Sequence, residues 1–139
     1  MPEPLTTIAT SKELAQHVLK WLTNLRRAGR ERQQQSLLAV HKVIALARKT
    51  KAYSRGVKAG QQDYKAEAEL AATWADLGFE LKRLGLKALA KKCDVTSRYW
   101  ADPEQFSPGF LAEADISFDS VERLARQLEV QIEHGRPSA

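Results

Sequence analysis

Cysteine is nearly absent from the chain: Cys93 is alone among 139 residues, so no internal disulfide can form. A reducing compartment suits such a sequence best, and the cytoplasm is the expected location. Long apolar runs are missing as well. Nothing approaches the roughly 20 residues that a membrane span requires. The opening stretch 1–12 also lacks the apolar segment of a signal peptide. No membrane partner is expected. No segment alternates apolar and polar residues with period two, so no strand is expected, and no glycine-rich phosphate loop follows one. The three histidines, His17, His41 and His134, lie far apart with no i, i+4 pair, and there is no Cys-x-x-Cys. Neither a metal nor a cofactor is expected. A Cys93 nucleophile with His41 as its base would need a tertiary contact that sequence does not imply. The commoner roles are a small buried hydrophobe for Cys93 and a place at the edge of the core for His41. No motif names a reaction, and the chain is not expected to be an enzyme.

Acids are scarce where bases crowd. Between positions 20 and 58 eleven Lys/Arg face one acid, Glu31, for a local net of +10. Between 102 and 133 the balance reverses: eight acids face Arg123 and Arg126, for a net of −6. The whole chain carries +5. Such polarity suits an anionic partner, or attraction between the two stretches within one molecule or between neighbours.

What is present is ordinary for a globular protein, at 43% hydrophobic and 28% charged residues. The length predicts a single helical domain over 1–139, with a frayed lead at 1–9 and a tail at 135–139. Thr10 and Glu13 form a capping box, and Leu14, Val18, Trp21, Leu22 and Leu25 recur at helical spacing. They predict a helix over 11–28 that stops at Gly29. A second helix, starting within 30–35, carries Leu37, Val40, Ile44 and Ala47, then turns basic at Arg48, Lys51 and Arg55, and is expected to end at Gly56 and Gly60 in a loop over 54–62. A third runs from the Asp63 cap to 84 with Leu70, Ala71, Trp74, Leu77, Gly78 and Leu81 on one face. Folding these two about residue 59 sets Ala47 on Ala71, Ile44 on Trp74, Val40 on Gly78, Leu37 on Leu81 and Lys51 on Glu67. Shorter helices are expected at 86–93, 96–101 and 108–114, and a last one begins at the Ser117 cap with Val121, Leu124, Ala125, Leu128 and Ile132 inward. The expected fold is all-α: an antiparallel helical bundle of about five or six helices, centred on the hairpin over 34–84.

Two surfaces are candidates for binding. The basic face comprises Arg26, Arg27, Arg30, Arg32, Arg48, Lys49, Lys51, Arg55 and Lys58. The plain account of its first four members is that cations favour a helix C-terminus, here just ahead of and beyond Gly29. The second candidate is aromatic: Tyr99, Trp100, Phe106 and Phe110 form either a satellite core or a partner-binding patch. The stretch 86–102 also has features of a helix-turn-helix, with Ala90, Val95 and Trp100 inward and Thr96, Ser97, Arg98 and Tyr99 outward. Against that, its second helix would be cut short by Pro103, and Asp102 and Glu104 would repel phosphate. Sequence-independent nucleic-acid binding needs only the basic face. Stacking aromatics are thin there, Tyr53 being the single one between 49 and 62. The expected function is a small non-catalytic interaction or accessory subunit. It presents the basic face to an acidic protein partner, or to its own acidic C-terminal third in self-association. The alternative is a nucleic-acid-binding helical protein using the same face.

Overall fold

Residues 11–134 are described by the computed structural model, with the backbone alone at 11–14, 17, 18, 21, 22 and 25. The lead at 1–9, the Thr10 cap, the apolar stripe from Leu14 to Leu25 and the tail at 135–139 therefore lie outside the described residues or side chains. The chain is all-helical over the described residues. Its elements are α1 (Ser11–Lys58), α2 (Tyr64–Arg83), α3 (Lys87–Ala101), a 3-10 turn (Pro103–Gln105), α4 (Pro108–Ala114) and α5 (Phe118–Glu133). They fall into two compact units, 1–32 and 33–139. In the first, every described side chain is exposed.

The break expected at Gly29 does not occur. Gly29 lies inside the 48-residue α1. A glycine ends a helix by adopting positive φ, which Gly29 does not do. Its neighbours are Ala, Arg, Glu and Gln, all good helix formers, so the cost of about 1 kcal/mol for one interior glycine is absorbed. Helix α1 runs on through Ser54 and Gly56, expected in a loop, to Lys58, and is stopped by Gly60, whose φ is +87°. There the Gln61 N–H reaches Gly56 O at 2.9 Å and the Gly60 N–H reaches Val57 O at 2.9 Å, which together make a Schellman cap. Helix α2 ends the same way at Gly85, with the Leu86 N–H donating to Leu81 O at 2.9 Å. The helix starts follow the cap residues. Asp63 accepts from the N–H groups of Lys65 and Ala66, Ser107 from Phe110, and Ser117 from Ser120.

In the second unit, buried positions on α1 span a wider arc than one apolar stripe: Ser36, Ala39, Val40, Val43, Ile44, Leu46, Ala47 and Thr50. The helix has two partners. Toward α2, Trp74 is wholly buried and its indole N–H donates to Thr50 Oγ1 at 3.1 Å. The Thr50 hydroxyl in turn donates to Leu46 O at 2.7 Å, so each buried polar group is satisfied. Lys42 meets Glu80 at 3.3 Å. Toward α5, Arg48 meets Glu122 at 3.3 Å and His41 meets Glu129 at 2.6 Å. Val121, Ala125, Leu128 and Ile132 of α5 are buried in the same cluster. Each larger one of these contributes about 1.5–3 kcal/mol by leaving water.

The register expected between α1 and α2 is displaced. Trp74 directs its indole N–H to Thr50, because a buried indole N–H needs an acceptor that isoleucine cannot supply. Gly78 does not face Val40 and His41. A Cβ placed on it would meet Ala90 O at 3.4 Å and Cys93 Cβ at 3.5 Å, so it sets the approach of α2 to α3. Ser97 adds a hydrogen bond across that contact, donating to Ala71 O at 2.6 Å. Lys51 pairs with Asp119 at 3.7 Å and not with Glu67. Glu67 instead accepts from the Tyr53 hydroxyl at 2.6 Å and from Gln62 Nε2 at 3.1 Å.

The two short helices expected over 86–101 are one helix, α3. No glycine or proline interrupts it, and Asp94 is held on the helix surface by Arg98 at 3.2 Å. With no turn in it, 86–102 is not a helix-turn-helix. Thr96 and Ser97, expected outward, are buried. Asp102, ahead of Pro103, adopts φ −158° and ψ 85° and ends the helix.

Candidate functional site

The cations of α1 within the second unit divide into met and unmet. Glu122 accepts from Arg48 at 3.3 Å and from Arg126 Nε at 3.1 Å. Those two hydrogen bonds hold its carboxyl below the usual glutamate range. Lys51 and Asp119 are both largely exposed, and their 3.7 Å pair contributes little. Part of the acidic C-terminal stretch thus neutralises part of α1 within one molecule. Among the described residues Lys49, Arg55 and Lys58 make no ion pair. Arg55 and Lys58 occupy the last turn of α1, where the helix dipole favours a cation.

Arg26, Arg27, Arg30 and Arg32 belong to the first unit, and all four are exposed. The helix-end account of this cluster fails, because α1 continues through it to Lys58. Arg26 and Arg30 stand one turn apart on the same side of the helix, an arrangement that costs a few tenths of a kcal/mol. Glu31 is the single acid nearby, and among the described residues none of the four arginines makes an ion pair.

The aromatic candidates fall into two pairs. Tyr99 meets Trp100 edge-on at 5.7 Å, and Trp100 meets Tyr53 edge-on at 5.7 Å. Trp100 and Tyr53 also pack against the core, so this pair pins α3 to the end of α1. Burial raises the Tyr53 phenol above its ordinary pKa, and its bond to Glu67 raises it further. Phe106 and Phe110 stack at 5.2 Å with planes 14° apart, and Phe110 remains 44% exposed. Cys93 is fully buried, and burial pushes its thiol up to about 12. It holds its proton at neutral pH, as a buried structural thiol does. His41, exposed on α1, bonds Glu129.

A further concavity, of about 450 Å³, lies along the seam of α2 and α3 and was not anticipated from sequence. Small residues Ala75, Gly78 and Ala90 line it, Phe79 stands beside them 60% exposed, and Lys82, Lys87 and Lys91 flank them. The signal was there to read. Positions 75, 78, 79 and 82 share one side of α2, and 87, 90, 91, 94 and 98 share one side of α3. Among the described residues no group of His, Cys, Asp and Glu could hold a metal ion, and no helix is long and apolar enough to cross a membrane. No family model, curated protein or solved structure matches the chain.

Proposed function

We propose that the chain is a non-catalytic helical interaction subunit that offers the basic face of α1 to an acidic protein partner. Its scaffold is an antiparallel bundle centred on the α1–α2 pair, and it acts in a reducing compartment, the cytoplasm, where free Cys93 is stable. The observation that carries the proposal is the mid-helix placement of Arg26, Arg27, Arg30 and Arg32. Neither a helix terminus nor, among the described residues, an ion pair accounts for them, so they are positive charge held ready for something outside the chain. A carboxylate partner is favoured over phosphate by the chain's own example. Where cations of α1 are met, they are met by carboxylates of amphipathic helices: Lys42 by Glu80 on α2, and Arg48 and Lys51 by Glu122 and Asp119 on α5.

The test is a binding series with a generic DNA duplex and a single strand from low salt upward, alongside sizing of the protein by sedimentation. The expected result is weak duplex binding that is gone by about 0.15 M salt, from a monomeric protein. Tight nucleic-acid binding at that salt overturns the reading in favour of a nucleic-acid-binding protein. A dimer that dissociates as salt rises shows that the acidic partner is a second copy.

A further inference from the structure

We infer that the α2–α3 groove is a docking site for one acidic amphipathic helix of a partner protein, seated by apolar side chains on its floor and by carboxylates on its rim. This deepens the reading of an acidic partner and rests on it, but places the contact away from the α1 arginines.

Three features of the groove define the occupant. Its floor is made of the smallest side chains on the two helices, Ala75, Gly78 and Ala90, so a third helix can approach closely. Phe79 is 60% exposed on α2 and offers an apolar wall that water would otherwise cover. An exposed large aromatic beside a concave apolar floor is the arrangement from which interface anchors are built. The rim is cationic on both sides of the seam: Lys82 on α2, Lys87 and Lys91 on α3. Among the described residues none of these lysines makes an ion pair. The one acid in the lining, Asp94, is already paired with Arg98 at 3.2 Å. An incoming helix with carboxylates flanking an apolar stripe matches this charge pattern; a basic or neutral one does not.

The chain holds a worked instance of the same match. Helix α5 buries Val121, Ala125, Leu128 and Ile132 while Asp119 and Glu122 meet the cations Lys51 and Arg48 of α1 and Glu129 hydrogen-bonds His41. The α2–α3 groove shows the receiving half of such a contact, lined among the described residues by α2 and α3 alone. The second pocket of similar size, between α1 and α2, lacks the pattern: Lys42 there is paired with Glu80, and Asp76 adds a further acid.

The test is fluorescence anisotropy with the full chain and a labelled designed helix of about 18 residues, carrying a leucine and alanine stripe flanked by glutamates. A scrambled peptide of the same composition, polyglutamate and a short DNA duplex serve as the other probes. The expected result is binding of the amphipathic helix alone. It should weaken at least about tenfold, or 1.4 kcal/mol, in Lys82→Glu/Lys91→Glu and about as much in Phe79→Ala. These positions are exposed, so circular dichroism and the melting temperature should hold. A variant with Arg26, Arg27, Arg30 and Arg32 changed to Gln should bind the peptide within about twofold of wild type, since the groove is intact. Equal binding of the scrambled peptide or polyglutamate overturns the groove, because charge alone then suffices. Loss in the arginine variant but not in the lysine variant also overturns it, while leaving the acidic-partner reading standing. Binding of the duplex with none of any peptide overturns both.

Discussion

Single side chains in this protein are held by specific partners, and those partners can be tested one at a time. The Tyr53 hydroxyl accepts from the Asp63 N–H at 2.9 Å and donates to Glu67 at 2.6 Å, tying the end of α1 to the start of α2. Tyr53→Phe and Glu67→Gln should therefore each lower the urea midpoint, and the double variant should lose less than the sum. Lys51→Met with Glu67→Gln should be additive, because Lys51 answers to Asp119. Coupling between Lys51 and Glu67 would restore the displaced register. Trp74→Phe removes the donor to Thr50 and leaves space in the core, and should cost about 1–3 kcal/mol in chemical denaturation. Cys93 is fully buried and its thiol is pushed up to about 12, so a thiol reagent at neutral pH should label it only through opening of the fold. Labelling at the rate of a free thiol in native buffer would mean that α2 and α3 do not close over it.

At the scale of helices, much of the pattern was legible and some was not. Caps at Asp63 and Ser117 and the inward set of α5 are local chemistry, and each could be read from a few neighbouring residues, whereas of the two glycines expected to end α1 only Gly60 does so and Gly56 stays helical. The continuity of α1 through Gly29 was not, since a glycine ends a helix only if the chain beyond it has a reason to turn. The α1–α2 register was missed because it depends on where one indole finds an oxygen, which periodicity does not encode. The binding surfaces divide the same way. The basic face is visible in composition, whereas the α2–α3 groove needs two helices to be laid side by side.

Two glycines test the element boundaries in opposite directions. Gly29→Ala should stabilise α1 by about 0.5–1 kcal/mol, because the position is helical and no atom lies within 4 Å of the new Cβ. Gly60→Ala should destabilise, because φ is +87° there. The same sign for both would contradict the boundary at Lys58. The α1–α5 seam carries a pH signature of its own. Glu122 has its folded pKa lowered by Arg48 and Arg126, so its contribution is present above the ordinary glutamate value and is lost as pH falls through the lowered one. The melting temperature of wild type should exceed that of Glu122→Gln at neutral pH, and the gap should close as the solution is acidified. A gap independent of pH would show that the carboxylate is not engaged.

For the whole molecule the controlling fact is the distribution of charge. A chain with eleven Lys/Arg and one acid between 20 and 58 and eight acids between 102 and 133 can satisfy part of that imbalance internally, as Arg48 and Lys51 do against α5. The arginines at 26–32 are not explained by any internal device among the described residues, and the proposal turns on what they meet. The most direct measurement is affinity capture from the native host with the tagged chain and with its variant carrying Gln at Arg26, Arg27, Arg30 and Arg32, each with and without nuclease. The account predicts an acidic protein retained by the wild-type chain, indifferent to nuclease, and lost with the variant. Retention of nucleic acid, with the accompanying proteins released by nuclease, or the same proteins held equally by the variant, would contradict it.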